Sequence, residues 1–222
     1  MSDKIKQVIE KIDMNFYFIF FVGIVGYVFK ATRPLMRALT PAVLFLTAAY
    51  ALARTYYGLE RRKRGVFAAW CLAVTVTTIF LEILGVRYGL FFGQYKYGTV
   101  LGPGVMGVPL IIGINWLIVV MGAAVLAGRY TGRILFIAAG AGLIAFLFDF
   151  VLEPAAISLG FWDWEGSIPV KNYVSWFSIT FVFSAAAGLL KLDMPGKWSR
   201  DLLLAQSAFF VIIRIFLFIN VF

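Results

Sequence analysis

Residues Leu143–Gly166 read "LIAFLFDFVLEPAAISLGFWDWEG". The first half is a run of Leu, Ile, Phe and Val suited to a helix in hydrocarbon, yet it carries two acids, Asp149 and Glu153. A carboxylate at membrane depth costs several kcal/mol, and membrane helices keep one where it faces the bundle interior and has a task. Positions i and i+4 share a helix face, about 6 Å apart, so the two acids point the same way. Phe161, Trp162 and Trp164 follow at once, aromatic residues of the kind that gather at a membrane boundary. The stretch predicts a spanning helix that ends in an aromatic cap, with a polar site at that end.

The rest of the chain agrees. Of 222 residues 62% are hydrophobic and 14% charged, with mean hydropathy +0.92, whereas soluble domains are about 25% charged. A span needs about 20 mostly apolar residues. Seven stretches qualify, at 14–30, 38–57, 66–87, 105–127, 134–156, 172–190 and 202–222. The expected fold is all-α: a polytopic membrane helical bundle of about seven transmembrane helices, one transmembrane domain over residues 1–222. Lys4, Lys6, Glu10, Lys11 and Asp13 form a short amphipathic lead-in without a small-residue cleavage pattern, so the first apolar run is expected to be retained as a helix.

Lysines and arginines set the orientation. The N-terminus and loops two, four and six carry thirteen, counting Arg54; loops one, three and five carry six. The richer side faces the cytoplasm. The expectation is a multi-pass protein of the cell membrane with its N-terminus inside, its C-terminus outside, and the aromatic loops 88–104 and 158–171 on the outer face. The same distribution accounts for the net charge of +9 without nucleic acid, because the basic residues lie in short connecting loops.

Histidine is absent and the one cysteine, Cys71, lies inside an apolar run. No intrachain disulfide is possible. Clustered-histidine iron, haem and most zinc sites need His or Cys, so no cofactor and no metal are expected. Acid–base work falls to Asp, Glu, Tyr, Lys or water.

Depth brings the polar residues together. At 1.5 Å per residue from the inner end, Glu82 lies about 26 Å up its helix, Asp149 about 24 Å and Arg214 about 20 Å, with Glu153 near the outer boundary. Asn115 lies about 15 Å below the outer start of the fourth span. Glu82, Asp149 and Glu153 are the catalytic candidates. Carboxyls crowded in a low dielectric do not all ionise, and a protonated one beside a charged one is an acid–base pair. Arg214 is expected to neutralise one of these acids. Asn115 either hydrogen-bonds across helices or touches substrate. Tyr95, Tyr97, Trp162 and Trp164 either form an aromatic belt or line a pocket, where ring faces stabilise a developing carbocation. With Trp116, Asn172 and Trp176 these complete the candidate substrate-binding set. The run "GPGVMGVP" at 102–109 reads as a broken helix entry or a loop cap.

Two units echo one another. Each has a helix with acid, then ring–charge–ring (Tyr95-Lys96-Tyr97, Trp162-Asp163-Trp164), then an aliphatic residue and proline (Val108-Pro109, Ile168-Pro169), then a tryptophan seven residues on (Trp116, Trp176). A tandem duplication of helix–loop–helix units would turn the acids of the third and fifth helices toward a common centre.

On these residues the chain resembles a known family. "LEILGVRYGLFFGQYKYGTVLGPGVMGVPLIIGINW" (Leu81–Trp116) and "DFVLEPAAISLGFWDWEGSIPVKNYVSWF" (Asp149–Phe177) are similar to the carotenoid-biosynthesis membrane proteins that include the carotenoid 1,2-hydratases, of the γ-carotene 1'-hydratase and bisanhydrobacterioruberin hydratase type. Two segments depart from the family pattern. A usual Gly-Pro-Phe-Gly-like segment reads Gly89-Leu90-Phe91-Phe92-Gly93, and the usual Asp-Pro reads Glu153-Pro154. The resemblance implies cofactor-free addition of water to the terminal C1–C2 double bond of an acyclic carotenoid ψ-end, giving a tertiary alcohol. The substrate would be an acyclic or monocyclic carotenoid entering from the bilayer. Such a hydro-lyase needs a proton donor, a site that tolerates a tertiary cation, and a base for water. Asp149 as acid with Glu82 as base, or the reverse, would supply them.

Other readings stay open. A lycopene-cyclase-like isomerase uses the same protonation but lets an internal alkene capture the cation. A non-catalytic carotenoid-binding protein would use the acids for gating. A retinal photoreceptor needs a Schiff-base lysine, and residues 202–222 contain none.

Overall fold

The computed structural model describes residues 14–219; the charged lead-in and the last three residues of the seventh predicted span lie outside the described residues. Seven α-helices follow among them: α1 (Phe16–Val28), α2 (Arg33–Gly58), α3 (Arg64–Tyr88), α4 (Leu110–Ala127), α5 (Ile134–Leu159), α6 (Val170–Leu189) and α7 (Lys197–Phe218). All seven predicted helices are present, and the protein is an all-α, multi-pass membrane protein. Five of them, α2, α3, α4, α5 and α7, are long and apolar enough to cross a bilayer. The other two, α1 and α6, fall short of that measure for different reasons. Helix α1 has 13 residues, about 20 Å of rise against a core about 30 Å thick. Helix α6 has the length but is interrupted by Lys171, Asn172, Ser175, Ser178, Thr180 and Ser184.

Helix α4 is the axis of the bundle. It packs against α2, α3, α5, α6 and α7, and Ile118, Val119, Val120 and Met121 are wholly buried in succession. A helix apolar on every side belongs in such a place. The outer helices present Phe18, Leu72, Phe136, Leu147 and Val182 outward, the apolar coat that lipid covers. Helix α3 turns one stripe inward, Phe67, Trp70, Val74, Thr78, Glu82 and Gly85, at intervals of three or four residues. Helix α5 buries Ala138, Ala141, Gly142, Ala145, Ala155 and Ala156, small residues that let neighbouring helices approach closely.

The aromatic loops are short strands. β1 (Tyr95–Tyr97) and β4 (Trp162–Trp164) pair antiparallel, Tyr95 with Trp164, Lys96 with Asp163, Tyr97 with Trp162. Side chains alternate across a strand, so the four rings turn inward while Lys96 and Asp163 stay exposed. β2 (Gly104–Val105) and β3 (Val108–Pro109) form a hairpin. Its turn residues Met106 and Gly107 have φ of 53° and 88°, the positive values a tight two-residue hairpin requires. Of the two readings of 102–109, a broken helix entry or a loop cap, the closed hairpin fits the second, and α4 begins only at Leu110.

The two units run in parallel order, α3–β1–α4 and α5–β4–α6. Helices α3 and α5 end on left-handed glycines, Gly89 (φ 63°) and Gly160 (φ 77°), as helix C-termini favour. Glu82 and Glu153 each stand seven residues before that glycine. Pro109 and Pro169 cap the starts of α4 and α6. The Lys96–Asp163 pair is the midpoint of the strand pairing that joins the units.

Candidate active site

The equivalent acids have equivalent surroundings. Glu82 accepts hydrogen bonds on Oε2 from the Tyr95 hydroxyl and, at 2.7 Å, from the Tyr97 hydroxyl. Its Oε1 accepts from Trp116 Nε1 at 2.8 Å. Glu153 accepts on Oε2 from Trp162 Nε1 at 2.9 Å and Trp164 Nε1 at 2.8 Å, and on Oε1 from Asn172 Nδ2 at 3.2 Å. Strand alternation explains the Oε2 partners of both acids, since every second residue of β1 and β4 reaches inward to the acid of its own unit, while Trp116 and Asn172 reach the Oε1 atoms from α4 and α6. The Trp116 and Trp176 rings stack with centroids 3.7 Å apart, closing the seam between units.

Glu82 and Glu153 are 4% and 2% exposed and line one cavity of about 30 Å³. A cavity of about 10–15 Å³ holds one water, so this one has room for water between two carboxyls. Tyr95, Tyr97, Asn115, Trp116, Trp162, Trp164, Asn172 and Trp176 line it as well. All but two of the predicted site residues thus meet in one place.

Asp149 is the first of the two. It is wholly buried but lies behind the cavity wall. Its Oδ2 accepts from Asn172 Nδ2 at 2.6 Å, the same nitrogen that reaches Glu153, and its Oδ1 has no hydrogen-bond partner. One amide therefore bridges two acids of α5. The i, i+4 spacing did put them on one face, but only Glu153 reaches the cavity.

Arg214 is the second, and its expected pairing with an acid is corrected. Its Nη1 donates to the Phe150 carbonyl at 2.8 Å and its guanidinium lies 4.8 Å from the centre of the Phe150 ring. The reason is Pro154, inside α5. Proline has no N–H to give the carbonyl four residues back, and that residue is Phe150. A carbonyl left open at membrane depth needs another donor, and Arg214 supplies it. The dipeptide Glu153-Pro154 held this signal.

Neighbouring groups anchor the site. Asn115 Oδ1 accepts from Gln206 Nε2 at 3.2 Å, an interhelical bond that sequence reasoning left without a partner. Lys171 Nζ donates to the Gly89 carbonyl at 2.7 Å and Ser175 Oγ to the Phe91 carbonyl at 2.8 Å, tying the start of α6 to the end of α3. Gly98 N–H donates to the Phe161 carbonyl at 2.8 Å. A side chain at Gly98 would overlap the Gly160 carbonyl oxygen, so the two loops meet this closely only with glycine there. Burial, and then the neighbouring Glu82, holds the Tyr95 and Tyr97 phenols well above the ordinary tyrosine range, so both remain proton donors. Among the described residues, no group of three or more His, Cys, Asp and Glu side chains is arranged to hold a metal ion.

Such a site can deliver a proton, hold water and surround a cation with ring faces. Comparisons with known proteins point the same way. The family model described as carotenoid biosynthesis protein matches residues 13–222. Bisanhydrobacterioruberin hydratase of Haloarcula japonica is 32% identical over 118 residues, which are 47% of this chain and 39% of that protein. The chain thus spans about two fifths of the length of that curated relative. No solved structure matches it. A family match over nearly its whole length, together with paired acids in aromatic cradles, makes this chain a member of the carotenoid biosynthesis protein family.

Proposed function

We propose that this protein is a carotenoid hydratase of the cell membrane, oriented with its N-terminus inside and the acid cavity toward the outer face. It adds water across the terminal C1–C2 double bond of an acyclic ψ-end. The observation that carries this reading is that Glu82 and Glu153, from equivalent positions of two units, share one water-sized cavity walled by aromatic rings.

The donors divide the roles. A phenol can donate or accept, while indole and amide N–H groups only donate. Glu82 is held partly by hydroxyls that can reverse, so it can carry a proton and be resupplied through Tyr95 and Tyr97. Glu153 is held by N–H donors throughout and serves as the carboxylate. Glu82 gives its proton to C2, the less substituted carbon. The alkene's π pair forms the new C–H bond and leaves a tertiary cation at C1. Ring faces of Trp116, Trp176 and Tyr97 offset that charge. Water bonds to C1 and loses a proton to Glu153, so the sum is alkene plus water to alcohol. Proton return from Glu153 to Glu82 by way of solvent and the phenols completes the cycle. Asp149 acts through Asn172, positioning Glu153. Cofactor-free operation is part of the proposal.

Support comes from the family match and the hydratase relative, and from the room for water between the acids. The test is expression in a lycopene-producing cell with mass analysis of the pigment, followed by reaction in heavy-oxygen and deuterated water. The expected product gains one water, carries the labelled oxygen, and has one deuterium on C2, the carbon next to the one that bears the new hydroxyl. An isomer of unchanged mass would establish cyclisation instead, and unchanged pigment a binding protein. Oxygen label from molecular oxygen would sink the hydratase reading.

A further inference from the structure

We propose that the apolar cleft between α1, α2 and α7 binds the polyene chain of the carotenoid, remote from the reacting bond. This rests on the hydratase reading above. The cleft holds about 290 Å³ and is walled by Val22 and Gly23 of α1, Leu39 and Val43 of α2, and Phe209 of α7. The acid cavity, at about 30 Å³, has room for water but not for a long hydrocarbon, which must be held elsewhere.

The cleft has the chemistry of a hydrocarbon site. Its two hydroxyls satisfy each other and the backbone. Thr40 donates to the Met36 carbonyl at 2.8 Å and takes the Tyr27 hydroxyl at 2.7 Å, so neither offers a free donor. It opens to the bilayer, since Phe18 and Val22 on its rim are 62% and 47% exposed. From Phe18 to Tyr27 it follows α1 for about 14 Å, part of an extended polyene, and the remainder stays in lipid.

Continuity with the acid cavity selects the substrate over an ordinary lipid chain. Phe161 lines the cleft and packs on Trp162, ring centroids 6.2 Å apart, and Trp162 holds Glu153. Phe210 also lines the cleft and meets Phe148 at 6.0 Å, which meets Trp176 at 6.1 Å. Aromatic side chains thus bridge the cleft and the cavity at two points. A chain in the cleft has its end group directed at the rings of β4, and a movement of Phe161 admits it.

The experiment uses the full chain in nanodiscs. Gly23→Leu and Val43→Phe fill the cleft. Removing room for one or two chain carbons is expected to weaken pigment binding, read from its absorbance shift, by about tenfold. KM is expected to rise in step for a full-length polyene and to rise less for an analogue of two isoprene units. The control Leu147→Phe, on the lipid face of α5, is expected to behave as wild type. Equal losses for long and short substrates, or unaltered pigment binding with loss of a co-purified phospholipid, would overturn the proposal. A second measurement covers variants that fail to fold. In a Cys71→Ser background, Val43→Cys is expected to be protected from a maleimide by bound pigment, while Leu147→Cys is not. Equal labelling rates at Val43→Cys with and without pigment would overturn it too. Protection is read without turnover, so a protected cleft in a protein that adds no water would refute the hydratase reading alone.

Discussion

At a carboxylate, a phenol differs from an indole in one respect: its hydrogen bond can turn around. The two acids sit in otherwise similar cradles, so in the proposed mechanism this difference separates donor from acceptor. Glu82→Gln and Glu153→Gln are each expected to lower turnover by about 10²–10⁴, because an amide keeps the shape but cannot exchange the proton. Near-native turnover in both would make the pair structural. Asp149→Asn is expected to cost less than Glu153→Gln, since Asp149 reaches the cavity only through Asn172. Tyr97→Phe removes a proton route, and Trp164→Phe removes a donor that cannot shuttle. Both should slow turnover, but only the first should change the solvent isotope effect. The pH profile adds a check. With both phenols held well above the ordinary value of 10.0, they stay protonated as pH rises through that value. No loss of activity with a midpoint near 10 should therefore appear.

At the scale of elements, proline and arginine on different helices share one carbonyl. Pro154 opens the Phe150 carbonyl of α5, and Arg214 of α7 closes it. Arg214→Met in the natural background leaves that carbonyl without its donor, a loss of about 1–3 kcal/mol. Pro154→Ala restores an N–H at the right place. The double variant should then be more stable than Arg214→Met alone, a positive coupling read from thermal unfolding in detergent. Additive effects would show that Arg214 acts elsewhere. The strands offer a second case. Gly98→Ala pushes a methyl against the Gly160 carbonyl and parts β1 from β4, and with them the two cradles. Activity should fall well beyond any loss of folded protein, measured as turnover per folded molecule by size-exclusion chromatography.

For the whole molecule, the two similar units put both aromatic strands at one end of the bundle. Ser167, beside β4, and Thr131, between α4 and α5, lie at opposite ends. In a Cys71→Ser background, an impermeant thiol reagent on whole cells should label Ser167→Cys and spare Thr131→Cys. The reverse pattern would invert the orientation and place the acid cavity on the cytoplasmic side. This is also the scale at which composition is informative. Apolar residues face outward along α1, α3, α5 and α6, and the bundle needs lipid to cover them.

The sequence alone determined what depends on local chain order. Runs of apolar residues placed seven helices, because a helix satisfies its own backbone in hydrocarbon. Acids at membrane depth marked Glu82, Asp149 and Glu153, because so costly a group is kept for a purpose. The repeated ring–charge–ring and proline–tryptophan spacings already outlined two units. Tertiary structure alone decided how these parts were paired. Which acid faces Glu82 depends on the rotation of α5 against α6, where Asn172 holds Asp149 behind Glu153. Arg214 took a carbonyl in place of a carboxylate, because charge signs in a sequence do not tell which polar group a proline has left open. The strand register that sets Tyr95 against Trp164 joins residues far apart in the chain, and such a pairing is fixed by the packing of whole units, which no local pattern specifies.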